Sequence, residues 1–148
     1  MIVIREINES DVQNGFLEVL DNLVSPNITE EHAIKILNKI KINKLHKIFV
    51  AINTSNNQVI GSVTLLMEFK FINKGMKVGY IEDVAVRRGY ERKGIGRRLV
   101  NHVTNFGTSN AKCKKIILYC NKNNVPFYNN LGFNVDEGAL VMTFEEKW

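Results

Sequence analysis

The stretch that decides the fold is Tyr80-Ile-Glu-Asp-Val-Ala-Val-Arg-Arg-Gly-Tyr-Glu-Arg-Lys-Gly-Ile-Gly-Arg-Arg-Leu99. Its apolar first part predicts a strand that ends at Val86, and helical spacing of apolar residues predicts a helix from Ile95 to about Phe106. Glycines in the intervening loop let successive N–H groups point inward, and a helix start adds unpaired N–H groups. Six cations surround this loop: Arg87, Arg88, Arg92, Lys93, Arg97 and Arg98. The segment therefore predicts a site for an anion such as a diphosphate.

Known phosphate-binding loops differ in how well they match this segment. The P-loop pattern G-x-x-x-x-G-K-[ST] is absent from the sequence. A dinucleotide fingerprint fails because residues 94–99 end in Leu99 and the acidic strand precedes the loop. The acetyl-coenzyme A loop of the GNAT N-acetyltransferases follows [RQ]-x-x-G-x-[GA], and Glu91-Arg-Lys-Gly-Ile-Gly96 matches both glycines with Glu91 at the first position. A solvated basic turn before a helix is the alternative interpretation of the loop alone.

The rest of the chain predicts helices and strands that alternate within one α/β (α+β) domain over residues 1–148. Amphipathic helices are expected after Asn8 and after Thr29, and a short helix over 125–131. Strands are expected over 2–5, 47–52, 59–71, 79–86 and 115–120, with a final strand or hairpin over 133–144.

Composition limits the class of protein. Hydrophobic residues make up 45% of the 148 residues, and no apolar run approaches the ~20 residues that a membrane span needs. The N-terminus lacks the basic and apolar regions of a signal peptide. Of the two cysteines, Cys120 is expected in the core, and a reducing, cytoplasmic location is predicted. A net charge of +5 and a pI near 9.2 suit an anionic partner without identifying it.

Several ordered segments resemble GNAT enzymes, and among them the glucosamine 6-phosphate N-acetyltransferases. The resemblance covers nearly the whole chain. It is carried by Gly15-Phe-Leu-Glu-Val-Leu20, Leu65-Leu-Met-Glu-Phe-Lys-Phe-Ile72, Ile81-Glu-Asp-Val84, Asn124-Val-Pro-Phe-Tyr128 and Leu131-Gly-Phe133.

This resemblance implies a mixed central sheet, flanked by helices, in which two parallel strands splay apart around acetyl-coenzyme A. Those strands would be 79–86 and 115–120, with main-chain groups of Val84, Ala85 and Val86 holding the pantetheine and the acetyl carbonyl. The pyrophosphate would lie on Glu91, Arg92, Lys93, Gly94, Ile95 and Gly96, with Arg97, Asn124 and Tyr128 also on the coenzyme. Asn124 has the alternative role of capping the short helix.

The same resemblance implies acetyl transfer to the 2-amino group of glucosamine 6-phosphate, with no metal, in a homodimer. Tyr128 would protonate or stabilise the departing thiolate, because a phenol is still protonated at neutral pH and can donate a hydrogen bond. Glu82 and Asp83 would position the reactants, and since neighbours on a strand face opposite sides, at most one is expected in a given pocket. The sugar would meet Lys70, Phe71, Ile72 and Asn73 from the same or the partner subunit, and its phosphate would meet Lys114 and Lys115.

Acceptor-side positions depart from the family pattern. Val24 stands where the family has threonine, Tyr119 where it has an acid, and Glu145 lies near the position of an arginine. Alternative interpretations are therefore a GNAT enzyme for another amine and a GNAT fold that binds coenzyme A without turnover. A nucleic-acid-binding module is disfavoured, because no helix-turn-helix, zinc-ligand or aromatic ribonucleoprotein pattern accompanies the basic pI.

Overall fold

A computed structural model describes residues 1–147. Its centre is one five-stranded sheet in the order β1-β2-β3-β4-β5. The strands are β1 (Ile2–Glu6), β2 (His46–Asn53), β3 (Gln58–Phe69), β4 (Lys77–Val86) and β5 (Cys113–Leu118). The pairs β1–β2, β2–β3 and β3–β4 are antiparallel, and β5 runs parallel to β4. The prediction of an α+β domain with a mixed sheet is confirmed.

The helices are α1 (Glu9–Asp11), α2 (Leu17–Asp21), α3 (Glu30–Ile42), α4 (Ile72–Gly75), α5 (Ile95–Asn105) and α6 (Val125–Asn129). They follow the predicted positions except that α4 lies in the predicted connection between β3 and β4 and that no strand follows α6 within residues 1–147. The Thr29 hydroxyl accepts the His32 N–H at 3.1 Å, so the predicted cap of α3 is confirmed. None of the helices in residues 1–147 has the length and apolar character that crossing a membrane requires.

The first predicted helix is divided in two. A π-helical turn over Val12–Phe16 separates α1 from α2, and Gly15 within it has a left-handed φ of +105°. A side chain there would place its Cβ 2.6 Å from Nη1 of Arg87. Glycine at position 15 therefore allows the left-handed turn and leaves room for the Arg87 side chain. The regular apolar spacing of the segment did not predict this interruption.

Each face of the sheet carries its own core. On one face α5 buries Ile95, Leu99 and Val103 against β2, β3 and β4. On the other face α1 to α3 cover the sheet through residues such as Val19 and Leu37. The sheet is thus fixed from both sides, as expected for the buried strands of an α+β domain.

Two predictions about the end of the chain are wrong. Only the start of β5 is buried, because β5 is an edge strand of the sheet, and Cys120 is exposed two residues beyond its end. Residues 134–147 form no strand. Leu140, Val141, Met142 and Phe144 are exposed there, and residues 134–147 pair with none of the five strands.

Candidate active site

A cleft opens where β4 and β5 part. The pairing of the two strands ends at Ile81 and Leu118, yet β4 continues to Val86. The resulting cavity has a volume of about 350 Å³. It is lined by Leu23, Ile81, Glu82, Asp83, Val84, Leu118, Tyr119, Cys120, Asn121, Asn124 and Tyr128. The predicted splay of two parallel strands is confirmed.

A bulge in β4 shapes the wall of this cleft. Asp83 has a left-handed φ of 50°, and the register with β3 shifts beside it, between Ser62 and Thr64. Arg87 N–H donates to Ile60 O at 2.8 Å on β3, so by alternation Val86 and Val84 present their main-chain groups to the opposite, open edge. The same alternation turns the main-chain groups of Ala85 towards β3, and its side chain is buried.

Both acidic residues of the bulge line the cleft. The prediction that at most one of Glu82 and Asp83 lies in a given pocket is wrong, because the bulge at Asp83 breaks the strict alternation of side chains. Burial, followed by repulsion from the Asp83 carboxylate, raises the pKa of Glu82 above its ordinary value. A carboxyl group so perturbed in a cleft is a candidate proton acceptor or positioning group.

The loop at the end of β4 is built to hold an anion. Arg92 and Gly94 both adopt left-handed φ values, 59° and 79°, and Gly94 begins α5 without a side-chain cap. The first N–H groups of α5 are therefore left unpaired by its own backbone, beside Arg97 and Lys93. Space beyond Gly94 is open, since an added Cβ would meet no atom within 4 Å. These features fit a pyrophosphate bound by main-chain N–H groups.

Glu91 has a structural role that the sequence did not reveal. Its carboxylate accepts the Gly89 N–H at 2.7 Å and the Asn22 side-chain N–H at 3.1 Å, and Asn22 also donates to Val86 O at 2.7 Å. Backbone N–H groups, its own and that of Gly89, lower the pKa of Glu91. Glu91 and Asn22 thus connect the loop to the end of α2, which explains an acid where the family pattern has arginine or glutamine.

Tyr128 projects into the cleft from α6. Its carbonyl accepts N–H groups of Leu131 and Phe133 at 3.0 and 3.1 Å, and its ring meets Phe127 edge-on at 4.9 Å. Burial raises the pKa of the half-buried phenol, and the nearby Cys120 adds to the shift. The hydroxyl is therefore protonated at neutral pH and able to donate. Asn124 precedes α6, but its side chain makes no capping hydrogen bond. Because Asn124 lines the cleft, its side-chain amide is available to a ligand there.

The Acetyltransferase (GNAT) family model matches residues 16–133, which contain the cleft, the bulge, the loop and Tyr128. The chain belongs to the GNAT acetyltransferase family. Enzymes of this family use acetyl-coenzyme A.

Relatives of this GNAT chain carry more specific names. It is 35% identical over 133 residues to glucosamine 6-phosphate N-acetyltransferase 1 of Dictyostelium discoideum, covering 89% of this chain and 84% of the relative. It is 30% identical over 139 residues to the Trypanosoma brucei brucei glucosamine 6-phosphate N-acetyltransferase, covering 93% and 92%. The crystal structure of the Arabidopsis thaliana glucosamine-6-phosphate N-acetyltransferase superimposes with a TM-score of 0.89 at 27% identity, covering 98% and 99%.

Some predicted acceptor residues lie outside the cleft of this GNAT domain. Lys70 pairs with Glu68 at 2.7 Å, and neither it nor residues 71–73 line the cavity. Phe71 and Ile72 are exposed at the far end of β4 from the cleft. Lys114 and Lys115 are exposed near the start of β5, whereas the cleft lies at its end.

Of the three positions that depart from the family pattern, Tyr119 alone lines the cleft, with 63% of its surface exposed. Val24 is exposed and does not line the cleft, although its sequence neighbour Leu23 does. Glu145 is exposed within residues 134–147, after Phe133. Within residues 1–147, no group of three His, Cys, Asp or Glu side chains could hold a metal ion.

Proposed function

We propose that the protein transfers an acetyl group from acetyl-coenzyme A to the 2-amino group of glucosamine 6-phosphate, giving N-acetylglucosamine 6-phosphate. The observation that carries the proposal is the cleft between β4 and β5, which brings Glu82, Asp83 and Tyr128 to one cavity. The similarity to two glucosamine 6-phosphate N-acetyltransferases supports this choice of acceptor.

The coenzyme would lie along the open edge of β4 and the start of α5. Val84, with both its main-chain groups, and Val86, with its N–H, are suited to the pantetheine arm, since β4 has no β5 partner there and the Val86 carbonyl already accepts the Asn22 side-chain N–H. The loop from Glu91 to Gly96 would hold the pyrophosphate through its N–H groups, with Arg92, Lys93 and Arg97 adding positive charge. Asn124 would contact the arm from the opposite wall of the cleft.

The chemistry requires an uncharged amine and a stabilised leaving thiolate. The ammonium form of the sugar would first give up one proton, which Glu82 can accept as a carboxylate and pass to water. The amine nitrogen then forms a bond to the acetyl carbon and the C–S bond breaks. Tyr128 gives its proton to the departing sulfur, which completes the thiol, and the second amine proton restores the Tyr128 hydroxyl. A positioned acid of this kind contributes roughly 10²–10⁴ in rate.

A homodimer would complete the acceptor side. The exposed apolar segment that contains Leu140 and Phe144, and the uncovered edge strand β5, support an additional subunit contact. Lys70 to Asn73, Lys114 and Lys115 lie away from the cleft of their own chain, so we assign their sugar and phosphate contacts to a neighbouring subunit's site. Two free cysteines agree with a reducing, cytoplasmic location.

Thiol release on mixing acetyl-coenzyme A with a panel of amines tests the proposal. Glucosamine 6-phosphate should be acetylated with the highest kcat/KM of the panel, which would also contain glucosamine, free lysine and a lysine peptide. Turnover of another member at a higher kcat/KM would assign a different acceptor. Thiol release at the rate of spontaneous hydrolysis with every amine would refute acetyl transfer.

A further inference from the structure

One side chain joins the end of α2 to the loop that follows β4. The Asn22 amide donates to Val86 O at 2.7 Å and to Oε1 of Glu91 at 3.1 Å. The other carboxylate oxygen of Glu91 accepts the Gly89 N–H at 2.7 Å. Because the amide nitrogen carries two N–H groups, a single side chain holds the loop at two points.

The peptide unit that Asn22 contacts belongs to the wall of the coenzyme site. Its opposite end, the Arg87 N–H, donates to Ile60 O at 2.8 Å on β3. The unit is therefore fixed from both sides, directly beside the Val86 N–H that is suited to the pantetheine arm. Removing the Asn22 amide would release one of these two ends.

The loop itself has little regular structure to hold it in place. Gly89, Arg92 and Gly94 have left-handed φ values of 87°, 59° and 79°, and residues 91–94 are exposed. Left-handed backbone is unfavourable for a residue with a Cβ such as Arg92, and exposed segments with few buried contacts open at a low cost in free energy. The hydrogen bonds of Glu91 therefore contribute much of the order of this loop.

Asn22 also determines where the end of α2 lies against the cleft. It is the C-terminal cap of α2, and the next residue, Leu23, lines the cleft together with Glu82. Leu20 of the same helix lines a second cavity, of about 370 Å³, between the sheet and the helices α1 to α3. A void of this size is uncommon in a protein interior, so packing alone holds this side of α2 loosely. The bonds of Asn22 therefore help to fix Leu23 in the wall of the cleft.

We propose that Asn22 is a positioning residue that couples the two substrates, so that acetyl-coenzyme A and the acceptor amine each strengthen the binding of the other. This inference rests on the proposed acetyl transfer. Coenzyme bound to the N–H groups of the loop fixes Glu91, Glu91 fixes Asn22, and Asn22 fixes Leu23 in the cleft. The second ligand then meets an element that is already ordered, and the coupling is equal in both directions.

Titration calorimetry with coenzyme A and glucosamine 6-phosphate measures this coupling without turnover, because the free thiol carries no acetyl group. The Kd of the sugar is measured with and without saturating coenzyme A. In the wild type coenzyme A should lower that Kd by at least about fivefold. In Asn22→Ala the ratio of the two Kd values should fall to within about twofold of one. Asn38→Ala removes an amide from the exposed side of α3 and is the matched control, expected to keep the wild-type ratio.

A role of Asn22 in the stability of α2 alone would weaken both ligands and leave the ratio unchanged. Asn22→Asp keeps the size of the side chain but replaces both donors by an acceptor, so it should also abolish the coupling. Glu91→Gln places a donor opposite the new carboxylate, so the double variant Asn22→Asp/Glu91→Gln should recover part of the ratio. Circular dichroism checks that each variant is folded.

The outcomes separate this inference from the proposed function. A wild type that acetylates the sugar but has a ratio near one would overturn the inference and leave the proposed function standing. An unchanged ratio in Asn22→Ala, or a double variant no better than Asn22→Asp, would also overturn the inference. No binding of the sugar to the wild type, together with no thiol release, would overturn both.

Discussion

Removing the Tyr128 hydroxyl is the most informative single change in the cleft. Tyr128→Phe deletes one oxygen and keeps the ring, which packs against Phe127 at 4.9 Å and Phe133 at 6.0 Å between centroids. The backbone bonds from Leu131 and Phe133 to the Tyr128 carbonyl are unaffected. The variant should therefore fold with a free energy of unfolding close to that of the wild type.

The expected kinetic loss follows from the proposed role of Tyr128 as an acid. Without a donor to the departing sulfur, kcat should fall by roughly 10²–10⁴. That loss corresponds to about 2.7–5.4 kcal/mol of transition-state stabilisation. KM for both substrates should change little, because the hydroxyl is needed as charge develops on sulfur rather than in the bound ground state.

The pH dependence gives the same role a second readout. Burial raises the pKa of Tyr128, and the protonated phenol, which is the active form, is present below that pKa. Loss of kcat at high pH in the wild type should therefore begin only above the ordinary phenol value of about 10. In Tyr128→Phe that alkaline loss should disappear.

Thiol release by wild type and Tyr128→Phe under saturating substrate measures whether Tyr128 contributes to kcat, and circular dichroism checks that the variant is folded. Tyr80→Phe is the matched control, because its hydroxyl donates to Glu68 at 3.1 Å and lines neither cavity. It should keep the wild-type kcat. A Tyr128→Phe enzyme with unchanged kcat would remove Tyr128 from the mechanism.

Three further changes test the structure around the cleft. Gly61→Ala would place a Cβ 2.8 Å from Leu99, so overpacking under α5 should cost about 1–3 kcal/mol in urea unfolding and weaken coenzyme A binding by calorimetry; unchanged values would contradict the close helix–sheet contact. Glu91→Ala removes the acceptor of the Gly89 N–H and should raise KM for acetyl-coenzyme A several-fold with kcat retained, whereas the exposed Glu137→Ala should change neither. Glu82→Gln should stabilise the fold at pH 7 by roughly 0.5–2 kcal/mol while lowering activity.

The sign of the Glu82 prediction follows from its raised pKa. In the folded chain its carboxyl holds a proton more tightly than in the unfolded chain, so ionisation at neutral pH destabilises the folded state. The gain from Glu82→Gln should therefore appear at pH 7 and vanish below about pH 4, where the wild-type carboxyl is protonated in both states. Urea unfolding at both pH values measures it, and equal gains at both would show that the charge is not the cause.

Local patterns predicted the fold because they match its physical causes. Thr29 caps α3 where a hydroxyl precedes two acids, and the apolar spacing from Ile95 to Val103 buries the predicted face of α5. The loop before α5 could be recognised from the sequence because its left-handed backbone at Gly94 favours glycine. Each of these signals depends on one residue or on a few residues that are close in sequence.

Other features depend on contacts between distant residues, which spacing does not encode. The bulge at Asp83 brought both acids into the cleft, although alternation predicted one. The bonds from Asn22 to Glu91 and Val86 join residues far apart in sequence. Cys120 followed an apolar run but lies beyond the end of the edge strand β5, and residues 134–147 pair with none of the five strands of the sheet.

The most direct test of the central claim is to follow the acetyl group itself. Acetyl-coenzyme A with a ¹³C-labelled carbonyl would be incubated with the wild type and glucosamine 6-phosphate, and the reaction followed by carbon NMR. The thioester signal should decline as an amide signal appears on the nitrogen at carbon 2 of the sugar. Binding of coenzyme A with the label remaining in the thioester would contradict the account and identify a GNAT fold that binds the coenzyme without turnover.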